Sequence, residues 1–332
     1  MPSRKPKLLL VTPSLADANN GNWQTAARWS RLVAPDWQSI VQRPDEPVTG
    51  RRVDDARLMV ALHARRSRRA IAAWRRLLRP LVVVLTGTDV YRDVPERDGD
   101  ALASLDDADR LVVLQEDALA HLAQRHRAKA RVVHQSARAL APFAGKSAHR
   151  LHVLLVAHLR EEKDPRTLVD AWRRVPLDVP ASLTIIGDAL DASLGRAVQA
   201  LARDDARVQW LGPRPHAWTR QAIKRAHAIV VPSRMEGGAN VVVEAVTSGT
   251  PVLASRVSGN VGMLGRDYAG YFPAGDAPAL AQRIVELHAD RAVLAHLEAQ
   301  CARRAPLFAP QAERAALLRV LAETDARARS GS

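Results

Sequence analysis

Short, wholly apolar runs of valine, leucine and isoleucine recur along this chain, each followed by a segment of alanine, arginine and leucine with helical spacing. In the first half the runs are "KLLLVTP", "RLMVALHA", "LVVVLTGTD", "RLVVLQ" and "ARVVHQS". Runs apolar at every position fit strands covered on both faces, which occur in parallel sheets flanked by helices. The intervening segments 23–33, 67–78 and 116–125 carry helical periodicity. Repetition of strand, helix, strand predicts an α/β architecture with a doubly wound parallel sheet.

The pattern lapses at "ARALAPFAGKSAHR", residues 137–150, which holds proline and glycine and no strong period and reads as a linker. A second series then runs "LHVLLVAH", helix 165–175, "SLTIIGD", helix 192–203, "RVQWLG", helix 216–225, "AIVVPS", helix 240–248, "PVLAS" and a helix near 276–289. The 332 residues therefore predict two Rossmann-like domains, 1–149 and 150–305. Pro306 and Pro310 redirect the chain into a terminal helix, 306–332, expected to return to the first domain.

A net charge of +14 raises nucleic acid or an anionic membrane as a partner. Only six of the 49 basic residues are lysine, however, and the arginines are dispersed over nearly every predicted helix instead of forming a tract with stacking aromatics. The expectation is small polyanionic substrates and no stable nucleic-acid complex. One cysteine, Cys301, excludes a disulfide framework or a cysteine metal site and suits a reducing, cytoplasmic setting. The apolar run at the N-terminus is too short for a signal-peptide core, and nothing approaches the roughly 18 apolar residues of a spanning helix, so no membrane insertion is expected.

In open α/β sheets ligands sit at the carboxyl ends of strands. The stretch "MEGGANVVVEAVTSGTPVLAS" is such a place: a strand ends at Ser233, a loop follows, and a helix begins near Asn240. Backbone N–H groups at the helix start favour an anion such as a diphosphate, and Gly237 and Gly238 allow close approach of a ligand. Glu236 in the loop and Glu244 one turn into the helix can accept hydrogen bonds from sugar hydroxyls.

Glu, seven residues, Glu-Ala and then Gly-x-Pro-Val resembles the retaining nucleotide-sugar glycosyltransferases of the GT-B fold, family-4 type. The resemblance implies that Glu236 reaches the donor sugar, that Glu244 reaches the ribose, and that Gly237, Gly238, Ala239 and Asn240 surround sugar and diphosphate. It also implies a basic diphosphate clamp after the first strand of the second half. In "AHLREEKDP", Lys163 matches the clamp lysine, but His158 stands where arginine is expected. Either Arg160 supplies the guanidinium or His158 itself donates to the phosphate. Arg214, followed by Pro215, falls where the family holds the nucleotide base, and "SRVSGNVGML", 255–264, reads as a glycine-bearing loop over the donor.

In the first half, Gly21 and Asn22 precede a helix start and can present N–H groups to a second ligand. Beside them come "LHARRS", with His63, Arg65, Arg66 and Ser67, and "TGTDVYRD", with Gly87, Thr88, Asp89 and Arg92. These loops suit a compact phosphate-bearing acceptor better than a lipid, which calls for an exposed amphipathic helix. Together with "TPSLADANNGNWQTAARWSRLV" and "HLREEKDPRTL", they are similar to the selenosugar synthases of selenoneine biosynthesis. That likeness implies transfer of glucose or N-acetylglucosamine from its UDP form to selenophosphate, forming a C–Se bond, and a pathway partner that consumes the selenosugar.

Selenium is already nucleophilic, so such an enzyme mainly orients its substrates and neutralises leaving-group charge; His63 and Asp89 are assigned to positioning. No metal-ligand constellation is evident, and no cofactor or required metal is expected. The alternatives are a conventional transferase of the same fold with a hydroxyl-bearing sugar, lipid or metabolite acceptor and, further off, a basic nucleic-acid-binding protein.

Overall fold

The computed structural model describes residues 5–15 and 21–330, and the chain divides into two compact units. One runs to Gln135 and resumes at Pro310; the other is Ser136–Ala309.

The first unit is built on six parallel strands: β1 (Lys7–Val11), β2 (Gln38–Gln42), β3 (Ala56–Leu62), β4 (Leu81–Val84), β5 (Arg110–Val113) and β6 (Ala130–Val132). Their order is β2-β1-β3-β4-β5-β6. The apolar runs are buried on both faces because the sheet has a core on each side, and the two-residue period assigns side chains between them. Leu9, Val11, Met59, Ala61, Leu81 and Val83 enter one core with Ile71 and Trp74 of the Arg68–Arg75 helix. Leu8, Leu10, Leu58, Val60, Val82 and Val84 enter the other with Trp29 of the Gly21–Val33 helix. Leu317, Val320 and Leu321 of the Pro310–Ser330 helix complete that second core. The terminal helix is tied there by Glu313, which accepts from Trp29 Nε1 at 2.7 Å and Arg28 Nε at 2.8 Å.

The second unit repeats the plan with β7 (Leu151–Val156), β8 (Ala181–Ile186), β9 (Val208–Trp210), β10 (Ala228–Val231), β11 (Val252–Ser255) and β12 (Tyr271–Phe272), all parallel. The order is β12-β11-β10-β7-β8-β9. Two parallel-sheet Rossmann-like units are thus present, as the alternating runs predict.

Several expectations are corrected. β2, "QSIVQ", is absent from the apolar runs because it is a short edge strand with only two apolar residues, Ile40 in one core and Val41 packed against the other. The predicted helix 116–125 is interrupted: a 3-10 turn, Glu116–His121, and a short helix, Gln124–Ala128, flank an extended, buried Leu122. Arg127 reaches back to the carbonyls of Leu119 and Leu122, satisfying acceptors that a continuous helix would have used. The segment read as linker packs with the second unit. Ala137 N–H donates to Phe308 O, Leu140 N–H to Thr247 O, and Arg220 to Arg138 O.

At the amino ends of β7 and β10, His227 Nδ1 accepts the N–H of His152 at 2.9 Å, while Nε2 faces Ser147 O at 2.9 Å. This arrangement needs a neutral imidazole. Burial holds His152 and His227 below the ordinary histidine value of 6.5, the neighbouring histidine adding to the effect at His152. Below about pH 6.5 the unfolded chain therefore takes up protons that the folded chain refuses, and stability falls with pH. The melting temperature, followed by calorimetry, is expected to decline steadily from about pH 7 to pH 5.5. A flat profile over that window would contradict this assignment.

Candidate active site

In the second unit strand order reverses between β7 and β10, so the loops leaving their carboxyl ends, 157–164 and 232–239, lie side by side at the topological switch point. From these loops come two oppositely charged side chains 73 positions apart. Lys163 Nζ lies 2.6 Å from Glu236 Oε1. Ser233 Oγ donates to the same oxygen at 2.6 Å. Glu236 is only 6% exposed, so its charge is sustained by these partners, and neither contact uses Oε2.

The backbone on both sides is fixed. Asp164 adopts a left-handed conformation (φ 44°, ψ 53°) and caps the Pro165–Trp172 helix through Thr167, whose hydroxyl donates to Oδ2 at 2.7 Å. Asp-Pro at the start of a helix explains the sharp entry, and the turn aims Lys163 across the sheet end. Arg234 crosses between the loops, donating its N–H to Glu162 O at 2.9 Å and its Nε to Asp164 Oδ2 at 3.1 Å.

The segment 255–264 is not simply a loop: Ser258–Leu264 is a helix. Its glycines serve contact, since a Cβ on Gly259 would stand 1.7 Å from Glu236 O. Gly259→Ala is accordingly expected to push the Glu236 loop outward and cost about 1–3 kcal/mol of stability. Comparing its turnover and melting temperature with wild type checks this, and wild-type values of both would be inconsistent with the packing. Ala239, expected to offer its N–H to a ligand, instead turns it to Met263 Sδ at 3.1 Å. Gly237, Gly238 and Asn240 are half-buried where the loop enters the Asn240–Val246 helix.

His158 is half-buried on the β7 loop, and its Nδ1 is buried without a hydrogen-bond partner. Burial, then Arg160 and Lys163, hold its imidazole below the usual value against an opposing pull from Asp188. His158 is thus kept neutral, able to donate one hydrogen bond without adding a positive charge. Arg160 is exposed and its Nε lies 3.7 Å from Glu162.

Glu244 projects from the Asn240–Val246 helix, 14% exposed at its side chain, with Oε1 2.7 Å from His216 Nε2. Arg214 is not drawn into this group: it is exposed, donates to Pro213 O and lies over the Trp218 ring at 6.0 Å. Ser233, Arg234, Asp164, Gly259 and His216 are participants that sequence reasoning missed. Only the Asp-Pro pair and the glycine of "VSGN" carry a local signal for them.

In the first unit the corresponding reversal lies between β1 and β3. Gly21 and Asn22 are the first residues of the Gly21–Val33 helix; residues 16–20 before them lie outside the described residues. After β3, His63 takes φ +69°, rare for a residue with a Cβ, and is 2% exposed. Its Nδ1 is 2.7 Å from Asp89 Oδ1 and its Nε2 is 3.1 Å from Thr88 Oγ1. Asp89 is buried at the head of a π-helical turn, Asp89–Asp93, with Oδ2 accepting from the N–H and hydroxyl of Thr86 at 2.8 and 2.9 Å.

Arg65 Nε and Arg92 Nε lie 3.3 and 3.0 Å from the two oxygens of Asp93. Gly87 is half-buried, and Arg66 is exposed. Ser67, expected at the acceptor, is fully buried and donates to Leu62 O at 2.6 Å, so its hydroxyl is committed to the turn. His63, Asp89 and Asp93 turn ligand-capable atoms to within 4.8 Å of one another, the arrangement among the described residues most able to hold a cation. The guanidinium groups of Arg65 and Arg92 already balance Asp93.

Residues 150–290 match the family model "Glycosyl transferases group 1". The D-inositol 3-phosphate glycosyltransferase of Mycobacteroides abscessus is 32% identical over 174 residues, 47% of this chain and 38% of that protein. The chain thus spans well under half the length of the curated relative it matches. Among solved structures, sucrose-phosphate synthase from Thermosynechococcus elongatus superposes with TM-score 0.79 at 19% identity, covering 97% of this chain and 100% of that one. Anabaena HepE, in complex with UDP and glucose, gives 0.77 at 15% identity over 96% and 100%. The pneumococcal O-GlcNAc transferase GtfA, in complex with UDP and GlcNAc, gives 0.66 at 18% identity over 80% and 56%. No helix among the described residues is long and apolar enough to cross a membrane.

Proposed function

We propose, on the premise that the second unit belongs to glycosyl transferases group 1 and that both sheets are those of the GT-B fold, that this chain transfers a hexose from a UDP-sugar to a small phosphate-bearing acceptor. The observation that carries the reading is the Lys163–Glu236 pair at the β7/β10 switch point, with Glu244 on the following helix. UDP and sugars accompany the similar HepE and GtfA structures, which supports UDP as the nucleotide. Lys163 and neutral His158 take the diphosphate, Glu236 a sugar hydroxyl through Oε2, and Glu244 the ribose. As the bond from C1 to the diphosphate breaks, its electron pair passes to a β-phosphate oxygen, and Lys163 stabilises the charge that develops there.

Selenophosphate is the acceptor favoured by the blocks around His63–Ser67 and Thr86–Arg92. A selenium lone pair forms the bond to C1, no proton has to be removed from the nucleophile, and Arg65, Arg66 and Arg92 receive the phosphate oxygens. Neither a cofactor nor a metal is required, the protein works in the cytoplasm with no stable nucleic-acid partner, and a pathway enzyme then consumes the selenosugar. A second reading is favoured by the curated relative, a glycosyltransferase named for an inositol phosphate. It is transfer to a hydroxyl of a phosphorylated acceptor, with His63 or Asp89 receiving the hydroxyl proton.

Anaerobic incubation with UDP-glucose or UDP-N-acetylglucosamine and either selenophosphate or an inositol phosphate, read by mass spectrometry, separates the two. The first reading expects a selenium isotope pattern on a hexose-containing product, undiminished by EDTA. Product from the inositol phosphate alone selects the second reading, and no product from either acceptor with donor bound overturns both.

A further inference from the structure

Glu244 is held from a second helix, and the hold is double. His216 and Arg220 lie one turn apart on the same face of the His216–Arg225 helix. Arg220, 7% exposed, donates to the main-chain carbonyl of Glu244 at 3.2 Å and to Thr247 Oγ1 at 3.4 Å, with its other amino group on Arg138 O. His216 takes the carboxylate itself, Nε2 to Oε1 at 2.7 Å, while its own side chain remains 61% exposed. One helix therefore fixes both the backbone and the side chain of the glutamate, and the His216 contact does not use Oε2.

We infer that His216 is a positioning residue for the nucleotide ribose. It locks the Glu244 carboxylate in one orientation before the ligand arrives, so that Oε2 meets a ribose hydroxyl without further loss of side-chain freedom. An unrestrained glutamate loses rotamer entropy on binding, and prior fixation removes that cost from the affinity. The same device is present at Glu236, where Lys163 and Ser233 share Oε1. This inference rests on the donor assignment above, and its test is chosen to fail separately from it.

Calorimetric titration of the full chain with UDP and with 2′,3′-dideoxy-UDP compares wild type, His216→Ala and His216→Gln. Because His216 is exposed, both variants are expected to melt as wild type does. His216→Ala is expected to weaken UDP binding roughly two- to tenfold, the cost of immobilising one rotamer-rich side chain on binding, and to leave dideoxy-UDP binding unchanged. His216→Gln, which can still donate to the carboxylate, recovers most of the loss. Wild-type affinity of His216→Ala for UDP, or an equal loss for both nucleotides, overturns the role of His216 and leaves the donor site standing. Failure of wild type to bind UDP removes the donor assignment and this inference with it.

Discussion

Lys163→Met is expected, on the proposed donor assignment, to lower kcat by about a hundred- to a thousandfold, the effect of deleting one preorganised charge stabiliser. Lys163 Nζ is the cation placed between the two switch-point loops, 2.6 Å from a carboxylate that is itself nearly buried. Methionine retains most of the stem and its packing but has no charge to set against the leaving diphosphate. KM for the donor is expected to move less than kcat, because in the proposed transfer the charge it answers grows as the bond breaks. Steady-state kinetics with a coupled UDP assay reads both quantities. A fall of less than about fivefold in kcat would mean that the leaving group is stabilised elsewhere. Glu236→Gln provides the complement: it keeps a hydrogen-bond acceptor for Ser233 Oγ while removing the charge that holds Lys163 in place.

Glu313→Ala is expected to be the most damaging single change to stability away from the site, at about 3–5 kcal/mol. The carboxylate is fully buried, with Trp29 Nε1 on Oε1 and Arg28 Nε reaching both oxygens, Oε2 at 2.8 Å and Oε1 at 3.1 Å. Its removal takes the acceptor from an indole and the counter-charge from a guanidinium that is 15% exposed, and it loosens the helix carrying Leu317, Val320 and Leu321 from the core. Against a total of about 5–15 kcal/mol for a domain this is a large share. Differential scanning calorimetry should show the first unit's transition lowered by on the order of 10 °C. Glu313→Gln, which still accepts from Trp29, is expected to lose less. Equal melting of Glu313→Ala and wild type would show that the terminal helix is held by its apolar contacts alone.

The alternation of apolar runs was enough to place most strands because it reports burial on both faces, a property of parallel sheets that needs no long-range information. Where a strand carries few apolar residues the signal fades, as in β2 at its sheet edge, which gives only Ile40 and Val41 to the two cores. Composition also misled: glycine in "VSGNVGML" suggests a loop, yet Gly259 lies in a helix, and glycine is needed there because a neighbouring main chain occupies the space of a Cβ. The break at Leu122 depends on a guanidinium arriving from residue 127, which helical periodicity does not register.

At the site, Glu236 and Glu244 stood out as carboxylates in an otherwise apolar segment at a strand end, where a buried charge demands a partner, whereas Lys163, set among the charges of "HLREEKDP", was singled out by the family resemblance alone. Which partner each finds was not legible. Lys163 reaches Glu236 only because strand order reverses between β7 and β10, and His216 reaches Glu244 only because two helices on one unit are bolted together by Arg220. Ser67 illustrates the converse, a polar residue at a strand end whose hydroxyl is absorbed by its own turn.

Direct titration of the full chain with UDP, followed by Glu244→Gln under the same conditions, addresses the assignment of the second unit as a nucleotide-sugar site. Saturable one-to-one binding by wild type, weakened at least several-fold in Glu244→Gln, is the result this account predicts. An absence of binding by wild type, or equal affinity in the two proteins, would contradict it.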